Sequence, residues 1–254
     1  MPEVHAKLSA SGSSRWINCP GSIALESNFE DTTSPFAQEG TKAHEYAENW
    51  LNLELKYRKG IICRTEIIDF KMAFKQADSE MFLNIESYVN ECLSLYDECL
   101  LKDKYAEAYV EVRVDFSKYV PEGFGTVDFC VVTNGIIYIR DLKYGKGVQV
   151  SAKGNSQLRL YGIGAYLMFD WIYDFKKVNY GIIQPRLNHL DFEELEIKEL
   201  LEYMDFVKGK ANEALKPNAK ICPGSWCKFC KARSICKARS SSILNNILEI
   251  LERM

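Results

Sequence analysis

In Ile139-Arg140-Asp141-Leu142-Lys143 a carboxylate and an ammonium stand two residues apart. On a strand, the period of two sends Asp141 and Lys143 to one face and turns Leu142 toward the core. Gly125-Thr126-Val127-Asp128 places a second acid in an otherwise apolar run, and burying it is costly unless it meets a cation or hydrogen-bond donors. A divalent ion between Asp128 and Asp141 would meet that need. Upstream, Glu39-Gly40-Thr41-Lys42-Ala43-His44 sets one of the three histidines just inside a helix. Downstream, Gln157 and Tyr161 lie four apart on one helix face. Each has a plain structural reading: a surface ion pair on an edge strand, a turn acid, a helix packing its polar edge on a sheet. Glu111 is an acid that strand alternation alone could turn to solvent, and His5 and His189 read as a tail and a loop residue.

The second chemical feature is thiol-based. The chain has nine cysteines, and Cys227-x2-Cys230-x5-Cys236 is a spacing that lets three thiolates face one centre. No cysteine follows Cys236, so a closed four-ligand site needs a fourth donor from upstream. Cys222, five residues before Cys227, would make a local four-cysteine zinc site. Cys63, Cys92, Cys99 and Cys130 lie among apolar neighbours, where a free cysteine is a small buried hydrophobe. Cys19-Pro20-Gly21-Ser22 recurs as Cys222-Pro223-Gly224-Ser225, too short an echo to make a repeat.

These groups must be positioned by elements that periodicity outlines. Apolar residues at helical spacing predict a helix from Phe36 to Tyr57 and a longer one from about Lys71 to Leu101. The period then changes to two over Ala108 to Phe116. Gly125 to Val132 and Ile136 to Leu142 read as a hairpin closed by Thr133, Asn134 and Gly135. A buried helix over Asn155 to Phe175 and a strand over Val178 to Gln184 follow, then helices over Glu193 to Leu215 and Ser242 to Glu252. The expected architecture is three-layer α/β, with a mixed central sheet flanked by helices. It forms one domain, with a catalytic sheet core over 108–187 and the segments 1–35 and 217–240 forming the cysteine site.

The order His44, Gly125-Thr126-Val127-Asp128, Asp141-Leu142-Lys143, Gln157-Leu158-Arg159-Leu160-Tyr161 resembles the nuclease domain of RecB-type enzymes in the PD-(D/E)XK superfamily. The resemblance runs from about Ser9 to Arg239 and looks closest to a phage-associated branch related to the CRISPR-associated four-cysteine exonuclease and the AddB nuclease. It implies a restriction-endonuclease-like core and metal-dependent hydrolysis of DNA from its ends, in phage or bacterial recombination, repair or processing. By that resemblance His44, Asp128, Asp141 and the Leu142 carbonyl would hold Mg2+ or Mn2+, Lys143 would orient or activate water, and Gln157 and Tyr161 would hold the catalytic strand and the DNA backbone. Glu111 matches an acidic position of many relatives. Cys19, Cys227, Cys230 and Cys236 would hold a four-iron four-sulfur (4Fe-4S) cluster joining the chain's two ends, with Zn2+ at the cysteines as the alternative. Two further alternatives are a noncatalytic DNA-binding or recombination subunit and a zinc-binding nucleic-acid adaptor.

Composition sets the outer bounds. With 254 residues, 47% of them hydrophobic, the chain can bury one sizeable core. A formal charge of -3 gives no global attraction to nucleic acid, so DNA contact must be local. Between Lys216 and Arg239 bases occur without an acid, among them Lys228, Lys231 and Arg233, interleaved with Trp226 and Phe229. Lys146, Lys153 and Arg159 stand just past the catalytic strand as further candidates for single-stranded or duplex ends. No P-loop is present, so helicase activity would belong to a recombination or helicase partner. No apolar run suits a membrane span and the polar start lacks a secretory signal, which predicts a cytoplasmic protein without membrane contact.

Overall fold

The computed structural model describes residues 6–29 and 34–253. Its helices are α1 (Ser13–Asn18), α2 (Ser22–Glu26), α3 (Pro35–Arg58), α4 (Arg64–Ala77), α5 (Ser79–Lys102), α6 (Ser156–Phe169), α7 (Ile197–Ala214) and α8 (Lys237–Glu252). Its strands are β1 (Glu107–Asp115), β2 (Phe124–Val132), β3 (Ile136–Leu142), β4 (Lys177–Gln184) and β5 (His189–Glu196). The sheet order is β1-β2-β3-β4-β5. Only β3 and β4 pair in parallel; the other neighbours are antiparallel. The crossover between β3 and β4 is α6, the kind of connection a parallel pair requires.

Two apolar clusters sandwich this sheet. One joins α3, α4 and α5 to one face through Trp50, Phe74, Ile85, Phe129 and Leu142. The other joins α1, α6 and α7 to the opposite face through Trp16, Ile139, Leu160, Ile182 and Met204. The protein is therefore the expected mixed α/β architecture, a five-stranded mixed sheet between helical layers.

Local chemistry explains several helix starts. Ser34 caps α3 by accepting from the Ala37 N–H, with Pro35 at the first helical position. Asn155 accepts from the N–H groups of Gln157 and Leu158 and so starts α6. The continuous helix predicted over residues 71–101 is two helices. Asp78 is extended and accepts from the Met81 N–H, so it ends α4 and restarts the chain as α5 with neither glycine nor proline. The helix predicted to reach Phe175 stops at Phe169, and α8 starts at Lys237 rather than Ser242.

The largest correction concerns residues 189–196. His189–Glu196 reads as loop and helix, because its Glu and Leu content favours helix, yet it is the edge strand β5. Asn188, left-handed at φ 46, turns the chain back on β4, and register pairing from Lys177↔Glu196 to Gln184↔His189 overrides the local preference. The sheet thus extends to Glu196. Among the cysteines expected to be buried, Cys92, Cys99 and Cys130 are, whereas Cys63 is exposed before α4. His5 lies outside the described residues.

Candidate active site

Register builds the acidic row. Val110↔Phe129 and Val112↔Val127 bracket Glu111, which therefore faces Asp128 across β1 and β2. Phe129↔Arg140 places Asp128 one step from Asp141 across β2 and β3. Three carboxylates from three neighbouring strands thus share one level of the sheet. Glu111 has φ 46, inside β1, a conformation that costs a non-glycine residue energy.

α3 supplies the fourth group. Ala43, Ala47, Trp50, Leu51 and Leu55 face the core at helical spacing, and this packing carries the adjacent His44 to the acids. Its Nδ1 lies 3.5 Å from Asp128 Oδ1 and 3.8 Å from Glu111 Oε1. The donor atoms of His44, Glu111 and Asp128 all fall within 4.8 Å of one another, close enough to hold one metal ion. Asp128 spends its other oxygen, Oδ2, on the Leu142 N–H at 2.7 Å. Leu142 thereby enters the site through its backbone amide, its side chain buried against the α3–α5 layer.

Asp141, 2% exposed, faces the α6 side. Lys143 Nζ lies 2.7 Å from Asp141 Oδ2 and donates to Gln157 Oε1 at 3.0 Å. Gln157 Nε2 donates to the Tyr161 hydroxyl at 2.9 Å. α6 thus fixes the lysine through a two-link chain, and Gly125 makes room for it. A Cβ at Gly125 would sit 2.6 Å from Tyr161 Cε1.

Electrostatics follow from this crowding. Burial and the neighbouring Asp128 lift Asp141 to about 6, although Lys143 and His44 pull the other way. Burial opposes a charge on His44, but Asp128, Glu111 and Asp141 outweigh it and push the imidazole up to about 10. The surplus of carboxylates is a site that favours an added cation. Periodicity gave no hint of Glu48, one turn beyond His44, whose carboxyl is raised by burial and by Glu111. The i, i+4 spacing to His44 is the signal that could have found it.

The predicted DNA contacts divide. Lys146 pairs with exposed Glu80 at 2.9 Å, and Lys153 is exposed. Arg159 pairs with Glu193 at 3.2 Å and lies over the Tyr203 ring, so it is committed to holding α6 on β5 and α7. His189 is a strap rather than a bare loop residue: its ring nitrogens lie 2.7 Å from Gln149 Nε2 and 2.8 Å from the Val150 carbonyl.

The chain's two ends meet at the cysteines. Cys19, Cys227, Cys230 and Cys236 line one small space together with Arg15, Arg233 and Arg239, while Cys222 is absent from that lining. The Cys222 N–H instead donates to Cys19 Sγ at 3.3 Å. Sequence reading missed the clasp around them. Glu26, buried, accepts from Arg15 Nε at 2.7 Å and from the Lys231 N–H at 2.8 Å. Gly21 donates to the Lys220 carbonyl, and a Cβ there would meet the Ala219 carbonyl oxygen at 2.6 Å. Trp226 covers the site, its Nε1 donating to the Cys222 carbonyl at 2.7 Å, while Phe229 stays exposed with Lys228 over its ring. Burial raises the thiols of Cys19 and Cys230, and among the described residues the four sulfurs do not draw within 4.8 Å of one another as the donors of His44, Glu111 and Asp128 do.

Residues 5–251 match the family described as "Protein of unknown function (DUF2800)". The chain belongs to that family. One solved structure, described as the crystal structure of SSO0001, is 15% identical over 94% of this chain and 90% of its own, with a TM-score of 0.37. A likeness at that level carries no argument about chemistry. No helix among the described residues is long and apolar enough to cross a membrane.

Proposed function

We propose that the protein is a Mg2+- or Mn2+-dependent DNA exonuclease of the PD-(D/E)XK type. The observation that carries this reading is the gathering of the donor atoms of His44, Glu111 and Asp128 within 4.8 Å of one another, with the Lys143–Asp141 pair on the neighbouring strand. His44, Asp128 and Asp141 would hold the ion, and Glu111 sits close enough to Asp128 to share that task. A divalent ion there supplies charge neutralisation for the scissile phosphate and lowers the pKa of water.

The chain's own residues supply orientation. The Lys143 ammonium, steered by Gln157 and Asp141, points a water at the phosphorus and stabilises charge developing on the phosphate oxygens. The water gives up a proton to solvent as its oxygen forms the new P–O bond, the bridging P–O bond breaks, and the leaving alkoxide takes a proton from solvent. Tyr161 acts one step removed, as a positioning residue for Gln157. The Leu142 N–H keeps Asp128 from rotating away from the ion.

The cysteine site is structural in this reading. Four thiols facing one space, ringed by three arginines, suit a 4Fe-4S cluster held by Cys19, Cys227, Cys230 and Cys236, which ties distant segments together and removes loop entropy. Zinc is the alternative occupant. Iron analysis and a visible absorption band separate the two. The decisive experiment for the function uses end-labelled single- and double-stranded DNA with Mg2+ or Mn2+, comparing wild type with Asp141→Ala and Lys143→Ala. Degradation by wild type alone is expected; equal degradation by all three means a contaminant and ends the proposal.

A further inference from the structure

α8 is an amphipathic helix whose apolar side, apart from Ile243 beside the Pro223–Gly224 loop, is not buried against any of the described residues. None of its residues is buried, yet Ile243, Leu244, Ile247, Leu248, Ile250 and Leu251 all project from it, between 42% and 61% exposed. At 100° per residue these six fall in one continuous arc of about 160°, while Ser242, Asn245, Asn246, Glu249 and Glu252 take the opposite side. Leu244, Ile247 and Leu251 follow the three-four spacing of a helix-pairing seam. Apolar patches larger than those of ordinary monomers, about 300–600 Å², mark interaction surfaces, and six contiguous exposed aliphatic side chains are a candidate for one.

The charges on the helix say what fits it. Its bases Lys237 and Arg239 stand in its first turn, and its acids Glu249 and Glu252 stand in its last two turns, where Arg253, 4.0 Å from Glu249, leaves that end with a net single negative charge. A second α8 laid antiparallel brings the basic end of each copy to the acidic end of the other and opposes the two helix dipoles. A parallel arrangement would put like charges together. The surface is thus complementary to itself under a two-fold axis, the symmetry of an isologous dimer. Two such faces would bury roughly 1,000 Å², the lower bound for a specific interface.

We propose that α8 pairs antiparallel with α8 of a second copy, making the protein a two-fold dimer joined beside its cysteine sites. The inference stands apart from the nuclease reading, since it uses no residue of the metal site. It is tested by sedimentation equilibrium on the full chain from about 1 to about 100 μM, the range a minimal interface calls for. Expected is a concentration-dependent dimer that Leu244→Glu with Ile247→Glu converts to monomer, with an unchanged circular dichroism spectrum and melting temperature. Glu249→Lys with Glu252→Lys should weaken the dimer at least tenfold, and adding Lys237→Glu, which leaves Arg239 on the Arg233 carbonyl beside the cysteines, should restore part of it. A wild-type chain that stays monomeric throughout overturns the proposal. So does a dimer indifferent to Leu244→Glu with Ile247→Glu, or a charge exchange that fails to rescue while iron content is retained.

Discussion

If His44 is a metal ligand, binding the ion must cost a proton, and the site dictates how much. In the metal-free protein the carboxylates of Asp128, Glu111 and Asp141 hold the imidazole pKa at about 10, so at neutral pH His44 is charged and cannot ligate. The ion must displace that proton. The sign is fixed: affinity rises with pH, tenfold per unit while His44 is protonated, or about 1.4 kcal/mol per unit. Near the lower end Asp141, lifted to about 6, begins to hold a second proton, so the dependence should steepen toward a hundredfold per unit as pH falls through that value. Calorimetric titration of the metal-free protein with Mn2+, in two buffers of different ionisation enthalpy, counts the protons released. About one per ion is expected at pH near 7.5, falling to about zero in His44→Gln. An affinity that stays flat between about pH 6.5 and 8.5, with no proton released, would refute the placement of His44 in the coordination shell.

Three further outcomes follow from the same geometry. Asp141→Asn should raise the melting temperature of the metal-free protein at pH 7.5 by several degrees while abolishing DNA degradation. A carboxyl whose folded pKa is raised from 3.8 to about 6 loses stability as pH rises through that window, and a drop in melting temperature would contradict the assignment of burial as the dominant cause. Gly125→Ala forces a Cβ to within 2.6 Å of the Tyr161 ring; it should destabilise the protein by about 1–3 kcal/mol in denaturant titrations and slow cleavage without weakening Mn2+ binding, because no ligand moves. Cys230→Ala should lower solubility and iron content before it lowers turnover per folded molecule, and a soluble, iron-replete variant would remove Cys230 from the thiol set.

Some of the protein was legible before any coordinates. The alternation of Asp141 and Lys143, the hairpin closed at Thr133, Asn134 and Gly135, and the helical face of Gln157 and Tyr161 are local periodicities. Backbone geometry converts each directly into a shared face, and the predicted pairs meet. The C-x2-C-x5-C spacing is equally local, and its three cysteines do line one space. What the sequence left open depends on register and on contacts between distant segments. Glu111 could not be told from a solvent-facing strand residue until β1 paired with β2 and set it opposite Asp128. β5 looked helical until β4 claimed its backbone. That Cys19 and not Cys222 lines that space appeared only in the fold, where Arg15 and Glu26 hold a loop more than two hundred residues away. Short-range periodicity specifies which side chains share a face; only the folded chain decides which faces meet, because that choice is made by burial and pairing energies summed over the whole molecule.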